Sequence, residues 1–183
     1  MTLTRALARL LLGDYQLYRI YRLRPSASEG DDPLIVALDD PQALEAAPCD
    51  ELRDLHQYAG EDAYGYGYRE GGELLAACWY WAGRRYRETR NFWPLEEGEA
   101  KLVQIVTASA ARGRGIAGRL LTHSAADMAA RGYRVLYARV WHSNRPSVRA
   151  FERAGWQYIA FVAAVYPPLR RRRALRWVRR GVA

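Results

Sequence analysis

The chain has 183 residues, half of them hydrophobic, which is enough for one domain with a buried core and excludes a disordered chain. No apolar run approaches the ~20 residues that span a bilayer. The formal net charge of +8 comes from the ends: residues 167–183 hold seven arginines and no acid, and residues 1–24 hold five arginines and one aspartate. The middle is slightly acidic, which argues against a groove for nucleic acid.

The N-terminal half alternates helical and extended patterns. Residues 2–12 fit a basic amphipathic helix that ends before Gly13, and residues 15–23 fit either its extension or a strand. The composition of residues 25–32 indicates a linker. The pattern then predicts a strand at residues 34–38 and two short helices at 42–46 and 50–58, the second with Asp50 as N-cap. A hairpin follows, with strands at residues 64–70 and 73–82 joined at Gly71-Gly72.

The C-terminal half begins with a loop rich in charged and aromatic residues at 84–98. Strands and helices then alternate, with Gly132 as a helix stop: strand 100–107, helix 119–131, strand 135–140, helix 145–154 and strand 156–166. This order predicts an α/β domain over residues 25–166, a mixed central sheet with flanking helices. A basic amphipathic segment, residues 1–24, precedes the domain, and a basic tail, residues 167–183, follows it.

The most informative segment is the turn from Arg112 to Gly118, which joins an extended apolar run to a helical one. Glycines let the backbone approach a ligand closely, and the N–H groups at a helix start attract negative charge. The two arginines of the turn add donors suited to phosphate oxygens. The turn therefore predicts a site for a phosphate-bearing cofactor, although it has neither the P-loop nor the dinucleotide-binding pattern.

A second motif makes this prediction more specific. Asn144 and Ser147 follow the next strand, and Phe151 and Gly155-Trp156 come at fixed steps after them. Together with the glycine turn, these residues resemble the GCN5-related N-acetyltransferase (GNAT) superfamily. The family motif Gln/Arg-x-x-Gly-x-Gly/Ala, which binds the pyrophosphate of acetyl-CoA, is matched by residues 112–117. The resemblance is specific over residues 100–160 and loose over residues 34–99.

The resemblance implies a GNAT fold in which the strand before the turn splays from the next strand and leaves a slot for pantetheine. It also implies that a main-chain N–H near Val106 polarises the thioester carbonyl. Asn144 is expected to contact the cofactor arm, and Ser147 either does the same or caps the short helix. The cofactor-binding residues implied are Ile105, Val106, Thr107, Arg112, Gly113, Arg114, Gly115, Ile116, Ala117, Asn144 and Ser147.

The catalytic acid and base are less defined. Many relatives have a tyrosine as acid seven residues after the asparagine, where this chain has Phe151. Glu99 and His142 are the nearest titratable candidates for the base, and each is equally compatible with a structural or solvated role. Cys49 and Cys78 lie in no motif that could carry an acyl group or a metal, so direct transfer without a metal is expected.

Acceptor recognition is predicted outside these motifs. Tyr64, Tyr66 and Tyr68 share one strand face, as do Trp79 and Trp81, and each set could line a pocket or belong to the core. The arginines of residues 84–93 suggest an anionic group on the acceptor. We therefore expect a small-molecule amine such as an amino sugar; a protein amine and a non-catalytic acetyl-CoA sensor are the alternatives.

The basic ends suggest contacts beyond the active site. On a helix, residues 169–182 would be basic, amphipathic and tryptophan-containing, which suits an anionic membrane surface, although a solvated tail or an RNA contact remains open. The cysteine usage is typical of a reducing cytoplasm. We expect a cytoplasmic protein that can lie at the inner membrane surface and can form a homodimer.

Overall fold

The computed structural model describes residues 14–27, 31–39, 44–45, 47–89, 93–166 and 175–180. These residues form one sheet of eight strands, in the order β2-β3-β4-β5-β6-β1-β7-β8, with helices on both faces. The mixed α/β prediction is confirmed. The helix expected at residues 2–12 lies outside the described residues, as does most of the helix expected at 42–46. No helix of the described residues is long and apolar enough to cross a bilayer.

The strands are β1 Asp14–Leu23, β2 Ile35–Ala37, β3 Ala63–Glu70, β4 Glu73–Trp81, β5 Glu99–Thr107, β6 Val135–Trp141, β7 Gln157–Tyr166 and β8 Leu175–Arg180. The helices are α1 Asp50–Arg53, α2 Gly83–Thr89, α3 Ile116–Ala130 and α4 Arg145–Arg153. One 3-10 turn, Asp54–Tyr58, follows α1, and another, Ser109–Ala111, follows β5. Among the paired strands described, β5 and β6 are parallel and the other neighbours are antiparallel.

Strand β1 settles the choice that the sequence left open for residues 15–23. It lies between β6 and β7 and pairs with both, so the predicted domain start at residue 25 is wrong. Ile20 and Tyr21 are neighbours in sequence, point to opposite faces and are both fully buried. A strand buried on both faces belongs inside a sheet, and this accounts for the weak alternation in the sequence.

The end of the chain also differs from the prediction. Residues 175–180 form β8, an edge strand antiparallel to β7. They are therefore not part of an amphipathic helix outside the domain. The pairing runs from Ala160 with Arg180 to Val165 with Leu175. The helical pattern in this segment is local, whereas the free edge of β7 offers a ladder of main-chain hydrogen bonds that outweighs a weak propensity.

Several element boundaries shift by a few residues. Cys49, and not Asp50, holds the N-cap position of α1, because the Asp50 side chain pairs with Arg53 inside the helix. Part of the predicted loop 84–98 is helical, as α2. The glycine hairpin is confirmed: Gly71 and Gly72 have φ of 59° and 86°, which a two-residue hairpin turn favours.

Candidate functional site

The strands β5 and β6 separate partway along their length. Their parallel pairing runs from Glu99 with Val135 to Leu102 with Ala138 and then stops, while β5 continues to Thr107. The pairing of β5 with β4 skips Val103, which is therefore the extra residue of a β-bulge. A bulge bends its strand, so β5 turns away from β6 at this residue. We call the resulting gap beside residues 103–107 the β5–β6 opening.

The direction of the β5 main-chain groups follows from its pairing with β4. Ala108 N–H donates to Leu75 O (2.8 Å), and hydrogen-bonded positions alternate along an antiparallel pair. Val106 therefore directs its N–H at β4, whereas Ile105 and Thr107 face the opening. The donor expected near Val106 is therefore not the Val106 N–H itself: the N–H groups of β5 that face the opening are those of its neighbours Ile105 and Thr107, and the Ile105 N–H lies closer to the point where β5 and β6 separate.

This N–H already has a partner from its own strand. Ile105 N–H donates to the side-chain carbonyl oxygen of Gln104 (3.2 Å). The other exposed main-chain position, Thr107 O, accepts from Nε of Arg112 (3.2 Å). Both positions are half-buried. A ligand that pairs with β5 must replace these two side-chain contacts.

The glycine turn lies at the same end of β5 as the opening. Gly113 and Gly115 have φ of 80° and 77°, and a Cβ at either position would meet no atom within 4 Å. Gly118 and Arg119 donate the first hydrogen bonds of α3, both to Gly115 O. The N–H groups of residues 113–117 precede these bonds and form the positive end of the helix, as an anion site requires. Residues 112–117 are thus brought together as predicted.

Two arginines beside the turn, Arg114 and Arg119, are paired with acids. Arg114 forms an ion pair with Glu70, which lowers the pKa of the Glu70 carboxyl and raises that of the guanidinium. Arg119 donates to both carboxylate oxygens of Asp32 (2.8 and 2.9 Å). Burial alone would raise the pKa of Asp32, but the hydrogen bonds from Arg119 and the Leu34 N–H outweigh it and the pKa is lowered. These acids hold the guanidinium groups in fixed positions beside the turn.

The residues of the second motif cap α4 and pack it onto the core. Asn144 is the N-cap, and its Oδ1 accepts from the Ser147 N–H (3.3 Å). Capping of α4 is thus performed by Asn144, and Ser147 supplies only a main-chain donor. Phe151, which replaces the tyrosine of many relatives, is buried against Tyr21 and Trp156, with ring centroids 5.8 and 5.2 Å away. Phe151 is a core residue.

Glu99, the first candidate base, lies at the paired end of β5. Its carboxylate accepts from the Tyr137 hydroxyl (3.2 Å) and from the Glu96 N–H (2.9 Å). Three residues of extended strand, about 10 Å, separate it from Leu102, where the opening begins. A general base acts within hydrogen-bond reach or through one water, so Glu99 is too far away to act directly.

His142, the second candidate, lies just beyond β6. Its main-chain N–H donates to Leu17 O (3.0 Å), and its ring packs against Trp141 and Phe161, with centroids 5.6 and 6.4 Å away. Phe161 belongs to β7, which β1 separates from β6. The imidazole therefore extends away from β5, and the structure brings neither predicted base to the opening.

Of the two interpretations left open for the tyrosines of β3, a pocket lining or core packing, the structure supports core packing: Tyr66 and Tyr68 are buried, and the partly buried Tyr64 packs against the core. They share one face of β3, as predicted, but that face is covered by α3. Each hydroxyl bonds to a residue of α3 or of the segment after it: Tyr66 donates to Asp127 (2.6 Å), Arg119 donates to Tyr68 (2.7 Å) and Tyr133 donates to Tyr64 (2.9 Å). The pocket interpretation of this face is therefore wrong.

The tryptophans on the other face are also covered. Trp79 packs so closely over Gly65 that a Cβ there would lie 2.5 Å from its ring. Trp81 Nε1 donates to Tyr58 O (2.8 Å), and the Arg85 guanidinium stacks 4.5 Å from the Trp81 ring centroid. Large aromatic side chains in such contacts stabilise the core.

The arginines expected to bind an acceptor also have other partners. Besides stacking on Trp81, Arg85 donates to Gln57 O (3.3 Å). Arg84 pairs with Glu88 along α2 (3.3 Å). Arg90 and Phe92 lie outside the described residues. Besides Arg112, an arginine of β6, Arg139, lies next to the opening, and the sequence did not single it out.

Arg139 follows Ala138, the last residue of β6 that pairs with β5. It shares a strand face with Tyr137 and Trp141. The alternation of these three residues was visible in the sequence, but only the register shows that the face borders the opening. Gln104 was likewise missed, since nothing in the sequence indicates which β5 groups face β4.

A splayed parallel pair, a glycine turn at its open end and an asparagine-capped helix together define a recognisable arrangement. A family model described as "Acetyltransferase (GNAT) family" matches residues 16–156. The chain belongs to this family. The GNAT resemblance of the sequence motifs is thus confirmed, and the matched range includes β1. No curated protein is significantly similar to the chain in sequence.

Solved structures of GNAT proteins share the fold. A GNAT-family protein from Novosphingobium aromaticivorans is 25% identical with a TM-score of 0.59, over 83% of this chain and 64% of that chain. One from Colwellia psychrerythraea is 20% identical with a TM-score of 0.58, over 88% and 60%. The ribosomal-protein-S18-alanine N-acetyltransferase from Escherichia coli is 20% identical with a TM-score of 0.52, over 70% and 79%. The chain spans less than two thirds of the length of the first two.

Proposed function

We propose that this GNAT chain binds acetyl-CoA and transfers its acetyl group directly to the primary amine of a small molecule. The observation that carries the proposal is the location of the β5–β6 opening and the glycine turn at the same end of β5. The amides of residues 113–117 would hold the pyrophosphate, and β5 would pair with the pantetheine arm. The Ile105 N–H would then stabilise the oxyanion once the Gln104 side chain has moved.

The amine would attack the thioester carbon, the acetyl group would move to nitrogen, and CoA would leave as a thiolate. A thiolate is a good leaving group, so the reaction does not require a protonating residue at Phe151. Because Glu99 and His142 both lie away from the opening, we propose that the amine loses its proton to water. The pH dependence of the rate would then follow the pKa of the acceptor amine.

The test uses CoA release over a panel of small amines, with the N-acetyl product identified by mass spectrometry. For active acceptors, kcat/KM is measured against pH, using amines whose own pKa values differ. We expect the half-maximal pH to move with the amine pKa. A limb fixed near the His value of about 6.5 for every amine would instead require an enzymic base.

The amino-sugar preference has lost its basis, because the tyrosine face of β3 is buried. A protein amine stays the alternative substrate, and the S18-alanine enzyme shows that this fold occurs in a protein N-acetyltransferase. N-terminal peptides are therefore included in the panel. Activity only with peptides would contradict the small-molecule proposal.

We also propose that the basic ends contact anionic membrane lipids, with the edge strand β8 and the neighbouring β7 as the contact surface. Trp177 on β8 and Tyr158 on β7 are 56% and 40% exposed. The Arg19 guanidinium stacks on Tyr158 (5.8 Å), and Arg179 shares a strand face with Trp177. Exposed aromatics with arginines suit an anionic interface. We expect the protein to sediment with anionic but not with neutral vesicles. The double variant Trp177→Ser with Arg179→Ser should sediment less.

A further inference from the structure

Only one face of the β5–β6 opening can admit an acceptor. On the face covered by α3 and α4, the strand residues at the opening are buried: Leu102, Ala138 and Val140 belong to one core cluster with Leu120 and Phe151. An amine that meets a thioester at the opening must therefore approach from the opposite face, which we call the acceptor face. This step rests on the proposed function.

The acceptor face carries an arginine that stacks on an aromatic ring. Tyr18 on β1 is the direct register partner of Trp141 on β6, and their rings form a T-shaped pair with centroids 5.2 Å apart. The Arg139 guanidinium lies 4.7 Å from the Tyr18 ring centroid. All three side chains are half-buried. Stacking uses the flat face of a guanidinium, while its N–H donors lie in the plane at the edge.

The charges on this face favour an anionic group on the acceptor. The register places Arg22 and Lys101 on the same face as Arg139. The acids on this face among the described residues of β1, β5 and β6 are Glu99 and, by alternation along β1, Asp14, which lies about 13 Å of strand before Tyr18. Glu99 lies at the far, paired end of β5. Because Lys101 is buried, the positive charge that a substrate can meet near the opening comes from Arg139 and Arg22. These two arginines would repel a polyamine, whereas a carboxylate would be attracted and could pair with a planar guanidinium in a bidentate manner.

We infer that Arg139, stacked on the Tyr18 ring that Trp141 packs against, binds a carboxylate of the acceptor, so that the substrate is an amine that also carries a carboxylate, such as an amino acid. This inference deepens the proposed function by naming the substrate class of the same site. It gives Arg139 a role in specificity, because it contacts a substrate group remote from the bond that is formed.

The experiment compares each amino acid of a panel with its own carboxamide, in which the charge is removed and the shape is kept. Rates are expressed per concentration of free amine, since the amide has a lower amine pKa. For the wild-type protein we expect kcat/KM to favour the carboxylate by about 10-fold to 100-fold, which is typical of a charge-assisted hydrogen bond. Arg139→Gln should bring this ratio close to one, mainly through KM.

Two further variants make the result specific. Arg139→Lys keeps the charge but not the fork of donors and should retain part of the preference. Arg22→Gln removes a positive charge from the same face, opposite Tyr137 in the register, and should reduce the preference far less than Arg139→Gln does, because it removes attraction at a distance and not the paired guanidinium. Stabilisation of each variant by acetyl-CoA in thermal unfolding verifies that it is folded and binds the cofactor.

The outcomes separate the two proposals. Equal rates for acid and amide in the wild-type protein, or a preference that survives in folded Arg139→Gln, would overturn the inference and leave the acetyltransferase proposal standing. Absence of turnover with every amine, although acetyl-CoA binds, would overturn both. Failure of acetyl-CoA to bind the wild-type protein would refute the proposed function at its cofactor step.

Discussion

Substitution of Gly115 by alanine tests whether the glycine turn is a phosphate site. Gly115 has φ of 77° and open space around it, so an alanine there costs backbone strain and no clash. This strain is about 1 kcal/mol, or about 2–4 °C in melting temperature for a domain of this size. Gly132, at the other end of α3, has φ of 93° and equally open surroundings, so Gly132→Ala should lose similar stability.

The two variants should differ in ligand binding. The new methyl group at residue 115 would lie beside the amides that the pyrophosphate must reach, and we expect acetyl-CoA affinity to fall by at least about tenfold. At a ligand concentration of about 100 times the wild-type Kd, acetyl-CoA stabilises the protein by about 2.7 kcal/mol. A tenfold weaker Kd reduces this to about 1.4 kcal/mol, so the thermal shift should fall by half.

The assay is thermal unfolding with and without acetyl-CoA, supported by calorimetric titration. Gly132→Ala should keep the full ligand-induced shift, although its melting temperature without ligand is lowered. A wild-type shift in Gly115→Ala, or an equal loss of the shift in Gly132→Ala and Gly115→Ala, would contradict a phosphate site at the turn. Either result would mean that helix strain and not the phosphate site controls ligand binding.

The remaining predictions concern the contacts around β5 and α3. Gln104→Ala removes the carboxamide that accepts from the Ile105 N–H and should tighten acetyl-CoA binding by about 3-fold to 10-fold. Weaker binding in a titration would mean that the Gln104 side chain holds the cofactor. Glu70→Gln breaks the ion pair with Arg114 and should tighten acetyl-CoA binding by less than about tenfold at low salt. This gain should be lost at 1 M salt. A gain that does not depend on salt would exclude charge as its cause. Tyr66→Phe should destabilise the fold by about 1–2 kcal/mol in denaturant unfolding, because its hydroxyl donates to a carboxylate; an unchanged midpoint would contradict this. Burial alone would raise the pKa of Asp127, but its hydrogen bonds outweigh this effect and lower the pKa from 3.8. Asp127→Asn should therefore destabilise the folded protein at pH 7, and the difference in unfolding free energy from the wild type should vanish as pH falls through the lowered pKa. A difference that persists at pH 2 would refute the ionic origin.

The cofactor side of the site could be predicted from the sequence because its signal is local. The glycine turn, Asn144 and Gly155 lie within segments where strand, turn and helix follow one another directly, and residue spacing fixes their geometry. The structure brings these residues to the expected places, although the Asn144 side chain is used to cap α4. The catalytic base could not be predicted, because its position depends on the tertiary structure and not on a local signal. Glu99 and His142 were chosen by nearness in sequence, and strand length and ring direction remove both from the opening.

The acceptor side could not be predicted, since it depends on which strands become neighbours. The alternating tyrosines of β3 do share a face, but only the packing of α3 shows that this face is closed. Arg139 acquires its surroundings from Tyr18, more than a hundred residues away, because β1 inserts between β6 and β7. The sequence favoured a start of the domain after this strand and therefore could not place the two side chains together.

The sequence by itself determined the family, the glycine turn between strand and helix, and the absence of a tyrosine at Phe151, because these depend on local backbone conformation and on residue identity. Tertiary structure decided which main-chain N–H faces the opening, which aromatic side chains are buried and which arginine borders the acceptor face. Those properties arise from strand register and helix packing. They depend on contacts between distant segments, which no local pattern encodes.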